Sequence, residues 1–200
     1  MRTIVTPGDV IAQSPTRVRN AYVQNGRTYS KVLGIYDDSA QEVIALEGTW
    51  DPRIEDSVIG IISEVKPKVY IVDLSFFGRA LLIAGKYDKV EFQEGQIINA
   101  LIKDIEGKST IILTDARLLE GGTIVSIKPK KIPRVIGKKS TMIRQIADAT
   151  GSRIIVGMNG LIWIQGGNVA LAEEVLLKIE REAHMSGLTE TIKAFLDSKK

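Results

Sequence analysis

The residues best suited to chemistry lie in Val135-Ile136-Gly137-Lys138-Lys139-Ser140-Thr141-Met142-Ile143, where one glycine, two lysines and a serine separate two apolar segments of helical spacing. A glycine there lets a phosphodiester backbone come close, and N–H groups at a helix start join the lysine ammonium groups in holding phosphate. The motif stands in a cationic stretch. Lys128, Lys130, Lys131, Arg134, Lys138, Lys139, Arg144 and Arg153 face only Asp148, a balance of +7 across 26 residues. Such a cluster is the electrostatic footprint of a polyanion partner. The competing reading is a solvated, salt-soluble face with no partner.

Little else in the chain is reactive. It has no cysteine, which excludes disulfides, cysteine zinc sites, iron–sulfur clusters and thiol catalysis, and fits a reducing compartment. His184 is the only histidine, so a multi-histidine metal site cannot be built and a Ser-His-Asp triad would depend on that one residue. The adjacent carboxylates Asp37-Asp38 and Glu173-Glu174 point in different directions on a strand or helix, make poor acid/base pairs, and are expected to be solvated. His184, among Glu180, Arg181 and Glu182, is expected at an exposed helix end, and Trp50 and Trp163 are expected to pack. No catalytic residue, metal site or cofactor is therefore expected. No stretch reaches the roughly 18 apolar residues of a membrane span, and Met1-Arg2-Thr3-Ile4 lacks a signal peptide's apolar core. The expectation is a cytoplasmic chain with no membrane or small-molecule partner.

The elements that must position the motif fall into three stretches with different grammar. With 44% hydrophobic residues over 200 positions and a net charge of +3, several small cores can be built. The net charge is −1 over residues 1–55, −2 over 56–120 and +6 over 121–200. The first stretch is β-rich: a Pro7-Gly8 turn lies between β-formers, Asn25-Gly26 marks a hairpin leading into a strand from Thr28 to Ile35, and Glu42 to Leu46 is another strand. A boundary falls near Ile54, after the turn-rich Gly48-Thr49-Trp50-Asp51-Pro52.

Five strands follow, at Val58 to Val65, Val69 to Leu74, Arg79 to Ile83, Gln96 to Lys103 and Thr110 to Thr114, a pattern that suits an OB-fold barrel ended by Gly121-Gly122. The third stretch predicts a strand over Thr123 to Lys128, a short helix over Ile132 to Ile136, and a helix over Thr141 to Ala149 capped by Gly151. Strands at Arg153 to Val156 and Leu161 to Ile164 flank the tight turn Gly157-Met158-Asn159-Gly160, and a long amphipathic helix starts at the N-cap Asn168. Ser186 to Lys200 adds a short helix. The predicted domains are 1–54, a small all-β unit; 55–121, a five-stranded barrel; and 122–200, an α+β unit of order strand-helix-helix-strand-strand-helix.

That order, with Gly137-Lys138-Lys139-Ser140 between its first two helices, resembles the KH domain, whose G-x-x-G loop approaches RNA; Ser140 stands where the second glycine is usual. The resemblance implies RNA contacts from Lys130, Lys131, Arg134, Gly137, Lys138, Lys139, Ser140 and Arg144. Ser140 is expected to cap the following helix. The barrel, with Val58-Ile59-Gly60, Phe92-x-x-Gly95-x-x-Ile98-x-Ala100-x-Ile102 and Leu113-Thr114, resembles the S1-type RNA-binding OB-fold, which stacks bases on aromatics beside cations. Its candidates are Lys68, Tyr70, Phe76, Phe77 and Arg79, with Tyr70 equally readable as core.

The module order, the Gly-x-Asn-Gly turn running into Trp163, the Ile132 to Gly137 entry, Pro7-Gly8-Asp9 and Tyr29 to Gly34 together resemble the RNA-binding cap subunit of the archaeal exosome, the ribosomal-RNA-processing protein 4 family. The resemblance implies a non-catalytic subunit binding single-stranded RNA. It further implies three copies on a hexameric phosphorolytic ring, with the N-terminal unit docking to the ring. Three other readings stay open: a free-standing S1/KH regulator of transcription or translation, a nuclease in its own right, and an assembly scaffold whose KH fold merely packs.

Overall fold

The computed structural model describes residues 2–39, 41–75, 78–83, 91–107, 109–185 and 187–199. The N-terminal unit holds six short strands: β1 (Arg2–Val5), β2 (Val10–Ala12), β3 (Ala21–Gln24), β4 (Arg27–Ser30), β5 (Gly34–Asp37) and β6 (Glu42–Ala45). They form two three-stranded sheets, β1-β5-β6 and β2-β4-β3, around Val5, Val18 and Val43. Asn25 and Gly26, both at positive φ, make the β3–β4 hairpin that their dipeptide predicts. The single strand expected from Thr28 to Ile35 is two. The Ser30 hydroxyl donates to the Val32 carbonyl and accepts from the Val32 N–H, folding the chain at Ser30 so that β5 enters the other sheet. Asp37 is not solvated: it is 6% exposed and accepts from the N–H and hydroxyl of Ser39, while its neighbour Asp38 is exposed.

The second unit is a closed barrel of β7 (Ser57–Lys66), β8 (Val69–Asp73), β9 (Arg79–Ile83), β10 (Ile97–Glu106) and β11 (Thr110–Leu118), ordered β10-β11-β9-β8-β7 with β10 closing on β7. The β9–β11 pair is parallel and the others antiparallel, the OB-fold arrangement. Alternation sends Ile98, Ala100 and Ile102 of β10 inward to meet Val58, Ile62, Val72, Leu82 and Leu113. β11 runs beyond the expected Thr114 because Asp115, at φ 52, sits in a register irregularity and pairing then resumes at Arg117.

The third unit is a KH fold. Its sheet, ordered β12-β14-β13, comprises β12 (Thr123–Ser126), β13 (Arg153–Val156) and β14 (Leu161–Gln165). The helices are α1 (Ile132–Ile136), α2 (Thr141–Thr150), α3 (Val169–Glu182) and α4 (Leu188–Asp197). Asn168 caps α3 by accepting from the Leu171 N–H, and Gly151 ends α2 in the left-handed region, both as expected. Ile162 and Ile164 of β14 face the helices, whereas Leu161 and Trp163 face the barrel's Ile59 and Leu119. Covered on both sides, β14 reads as an unbroken apolar run. α4 adds Leu188, Ile192 and Leu196 to the helical core at a four-residue spacing.

Candidate nucleic-acid interface

α1 stops at Gly137, whose φ of 73° and ψ of 173° belong to a region open almost only to glycine. A Cβ there would lie 2.7 Å from Met142 Cβ and 2.9 Å from Met142 N, so the loop's tightness requires this residue. Lys138–Ser140 forms a helical turn in which Lys139 (φ 52°) and Ser140 (φ 60°) are both left-handed. The Ser140 hydroxyl does not cap α2. Its left-handed backbone turns the side chain away from the orphan N–H groups, and Thr141 Oγ1 instead ties the turn by donating to the Lys138 carbonyl at 2.9 Å. Lys138 and Lys139 are exposed and make no ion pair among the described residues. Arg144, also exposed, lies one turn further along α2. Half-buried Ile136, Ile143, Ile154 and Val156 lie against the core on α1, α2 and the sheet-edge strand β13. The loop thus joins two unpaired cations to an apolar floor, the combination that phosphates and bases of a single strand require.

The wider cationic stretch is smaller as an exposed patch than its sequence balance. Lys131 Nζ donates to the Glu180 carbonyl at 2.8 Å, and Arg134 donates from Nε to the Ala183 carbonyl and from a terminal nitrogen to the Met185 carbonyl. Both cations are spent on the C-terminal end of α3, where unpaired carbonyls concentrate negative partial charge. Lys128 pairs with Glu47 at 3.0 Å, joining the N-terminal unit to the KH fold. Lys130, half-buried, lines a cleft of about 350 Å³ between the three units, with Arg19, Arg53 and Asp56 among its walls. Burial pushes the Asp56 carboxyl above the usual carboxylate range although it accepts from the Arg53 N–H. Of the nominated residues, the structure brings Gly137, Lys138, Lys139, Ser140 and Arg144 together and directs Lys131 and Arg134 elsewhere.

The barrel candidates separate further. Lys68, in the β7–β8 turn, and Arg79, opening β9, are exposed. Tyr70 is core: it is 8% exposed and edge-on to Phe92, with ring centroids 5.4 Å apart, so it has no face for a base. The strand's alternation explains this, since Tyr70 and Val72 share the inward side of β8. Phe76 and Phe77 lie outside the described residues. His184 is exposed beyond α3, while Trp50 and Trp163 pack, as expected.

Asn159 carries a role that the sequence reading gave only to a turn. Its carboxamide accepts from the Ile59 N–H (3.2 Å) and donates to the carbonyls of Ile59 (2.7 Å) and Leu74 (2.9 Å), while the adjacent Met158 N–H donates to the Ser57 carbonyl. Gly157 permits this approach, since a Cβ there would lie 2.8 Å from Ile59 N. The β13–β14 turn is thereby bonded into the barrel wall. The only local signal was the asparagine itself, a residue able to donate and accept at once.

Among the described residues, no group of three or more His, Cys, Asp or Glu could hold a metal, and no helix is long and apolar enough to cross a membrane. Residues 2–47 match the family model described as the exosome RNA binding protein RRP4 N-terminal domain, and residues 122–170 match that of the KH domain. The chain is 39% identical to exosome complex component Rrp4 of Pyrococcus abyssi over 99% of its own length and 83% of the relative's. It is 40% identical to the Pyrococcus furiosus protein of the same name, over 99% and 84%, and 36% identical to that of Picrophilus torridus, over 100% and 94%. A crystal structure described as that of an exosome complex RNA-binding protein superposes with a TM-score of 0.65 at 28% identity, covering 76% of this chain and 97% of that one.

Proposed function

The chain belongs to the Rrp4 family of exosome components, and from that premise we propose that it is a non-catalytic cap subunit that binds single-stranded RNA and delivers it to a phosphorolytic 3′-5′ exoribonuclease ring. In this reading the KH loop captures phosphates and raises the local concentration of RNA at the ring entrance. Three copies sit on one hexameric ring in the cytoplasm, held by their N-terminal β units. The observation that carries the reading is the pair Lys138 and Lys139, exposed and unpaired beside Gly137 and an apolar floor. Lys130, Arg144, Lys68 and Arg79 contribute weaker, more peripheral charge.

The test is fluorescence-anisotropy binding of an adenine-rich RNA at two salt concentrations. Lys138→Ala with Lys139→Ala should weaken binding and flatten the log–log salt slope by about 1.4, the single-strand increment for two phosphate contacts. Equal affinity and slope for wild type and variant would overturn phosphate capture at this loop. Co-purification with ring subunits tests the cap assignment, and a free-standing RNA regulator would fail it. A scaffold reading is favoured by one observation, the bonding of the KH turn into the barrel through Asn159. Retained ring assembly combined with unchanged RNA binding by the double variant would select that reading.

A further inference from the structure

The cleft of about 350 Å³ at the junction of the three units takes no part in the KH loop. Arg19, Glu42 and Ile44 of the N-terminal unit line one side of it, and Lys130, Pro133 and Met158 of the KH fold line another. The segment that leads into the barrel supplies the rest, including Asp51, Arg53 and Asp56. These walls belong to different units and bound one space between them, so the cleft does not require an open outer face on the N-terminal unit.

Two of its cations are uncompensated. Arg19 and Glu42 stand 3.9 Å apart on the same wall, and the Asp56 carboxylate accepts from the Arg53 N–H at 3.1 Å. The Arg53 guanidinium and the Lys130 ammonium make no ion pair among the described residues, and Asp51 is the one further carboxylate in the lining. Lys130 is half-buried, with its stem laid across Gly48, where a Cβ would come 3.5 Å from Lys130 Cε. That packing limits the rotamers the ammonium would lose on binding a ligand.

We propose that this cleft binds a nucleotide, with its phosphate on Arg53 and Lys130 and its base against Ile44, Pro133 and Met158. Two cations set against one carboxylate favour an anion, and a guanidinium holds two phosphate oxygens at once. A bare phosphate would leave the apolar wall empty, whereas a base covers it and offers N–H groups that Asp51 can accept. Ligand pockets span roughly 300–1,000 Å³, so a space at the small end of that range admits one small molecule or one residue of a strand. A free nucleotide and a nucleotide within RNA share this chemistry. The inference goes beyond RNA capture at the KH loop and does not depend on it.

The test is calorimetric titration of the full chain with ADP, adenosine and inorganic phosphate. ADP should bind at least about tenfold more tightly than either of the others, since each of those supplies only part of the contacts. Arg53→Ala, at an exposed residue whose backbone bond to Asp56 is kept, should weaken ADP binding by about tenfold or more. Lys130→Met keeps an apolar stem over Gly48, removes the charge, and should give a similar loss even if Arg53→Ala proves unstable. Wild-type ADP affinity in both variants overturns the site. Phosphate binding as tight as that of ADP overturns the nucleotide in favour of a simple anion, and equally tight adenosine binding overturns the part given to the cations. Displacement of ADP by the adenine-rich RNA supports the site with a nucleotide of the strand as its occupant, and ADP retained beside bound RNA supports it with a free one. A chain that binds RNA but not ADP overturns this site and leaves the KH reading intact, while one that binds ADP but not RNA does the reverse.

Discussion

Asn159→Ala would remove three hydrogen bonds at once and leave the Ile59 N–H, the Ile59 carbonyl and the Leu74 carbonyl without partners around a side chain only 5% exposed. Each unsatisfied buried group costs about 1–3 kcal/mol, so a loss of at least about 3 kcal/mol is expected. Urea unfolding followed by tryptophan fluorescence checks it, because Trp163 is buried beside the same junction. Asp56 behaves oppositely. Its folded-state pKa is raised by burial, so its contribution to stability is fully present below the ordinary carboxylate range and is lost as pH rises through the folded value. Asp56→Asn keeps an acceptor for the Arg53 N–H and should unfold at the same or a higher temperature than wild type at pH 7, with the gap closing below about pH 4. Neither role was legible in the sequence. Asn-Gly signals a turn from its own two residues, but a partner a hundred positions away leaves no local trace. Asp56 is an ordinary turn carboxylate until three units close around it.

At the scale of elements, the helix that stops at Gly137 is the most sensitive. Gly137→Ala would place a Cβ 2.7 Å from Met142 Cβ on a backbone closed to side chains, and a destabilisation of about 1–3 kcal/mol, with weaker RNA binding, is the expected result in melting and anisotropy. Arg134→Ala tests a different element. Because its guanidinium holds the Ala183 and Met185 carbonyls, hydrogen exchange should rise around residues 183–190 while RNA affinity changes less than twofold. Most elements were legible because their signals are local: the Asn168 cap, the Asn25-Gly26 hairpin and the spacing along α2. The misreadings are where a neighbour decides. Ser30 bonds its own chain and breaks a strand, and the α3 terminus captures two cations that composition had assigned to a ligand, while β-alternation decides Tyr70, which the sequence left open between core and base contact, in favour of core.

For the whole molecule, the barrel and KH fold share one buried seam of Ile59, Leu119, Leu161 and Trp163, whereas a salt bridge between half-exposed Lys128 and Glu47 and the small Ile35–Leu46–Ala183 contact join the N-terminal unit. A fragment of residues 122–200 would expose Leu161 and Trp163 and should self-associate in size-exclusion chromatography, while a fragment of residues 50–200 should elute as a monomer. The family and its three-part order were legible because each unit carries its own motif; the seam was not, since it needs all the parts at once. The seam also makes the molecule a ruler. With the barrel and the KH loop unable to swing independently, any two points of RNA contact on them are a fixed span apart. Affinity plotted against oligonucleotide length should therefore rise in a step at the length that bridges that span, rather than climb smoothly with each added nucleotide.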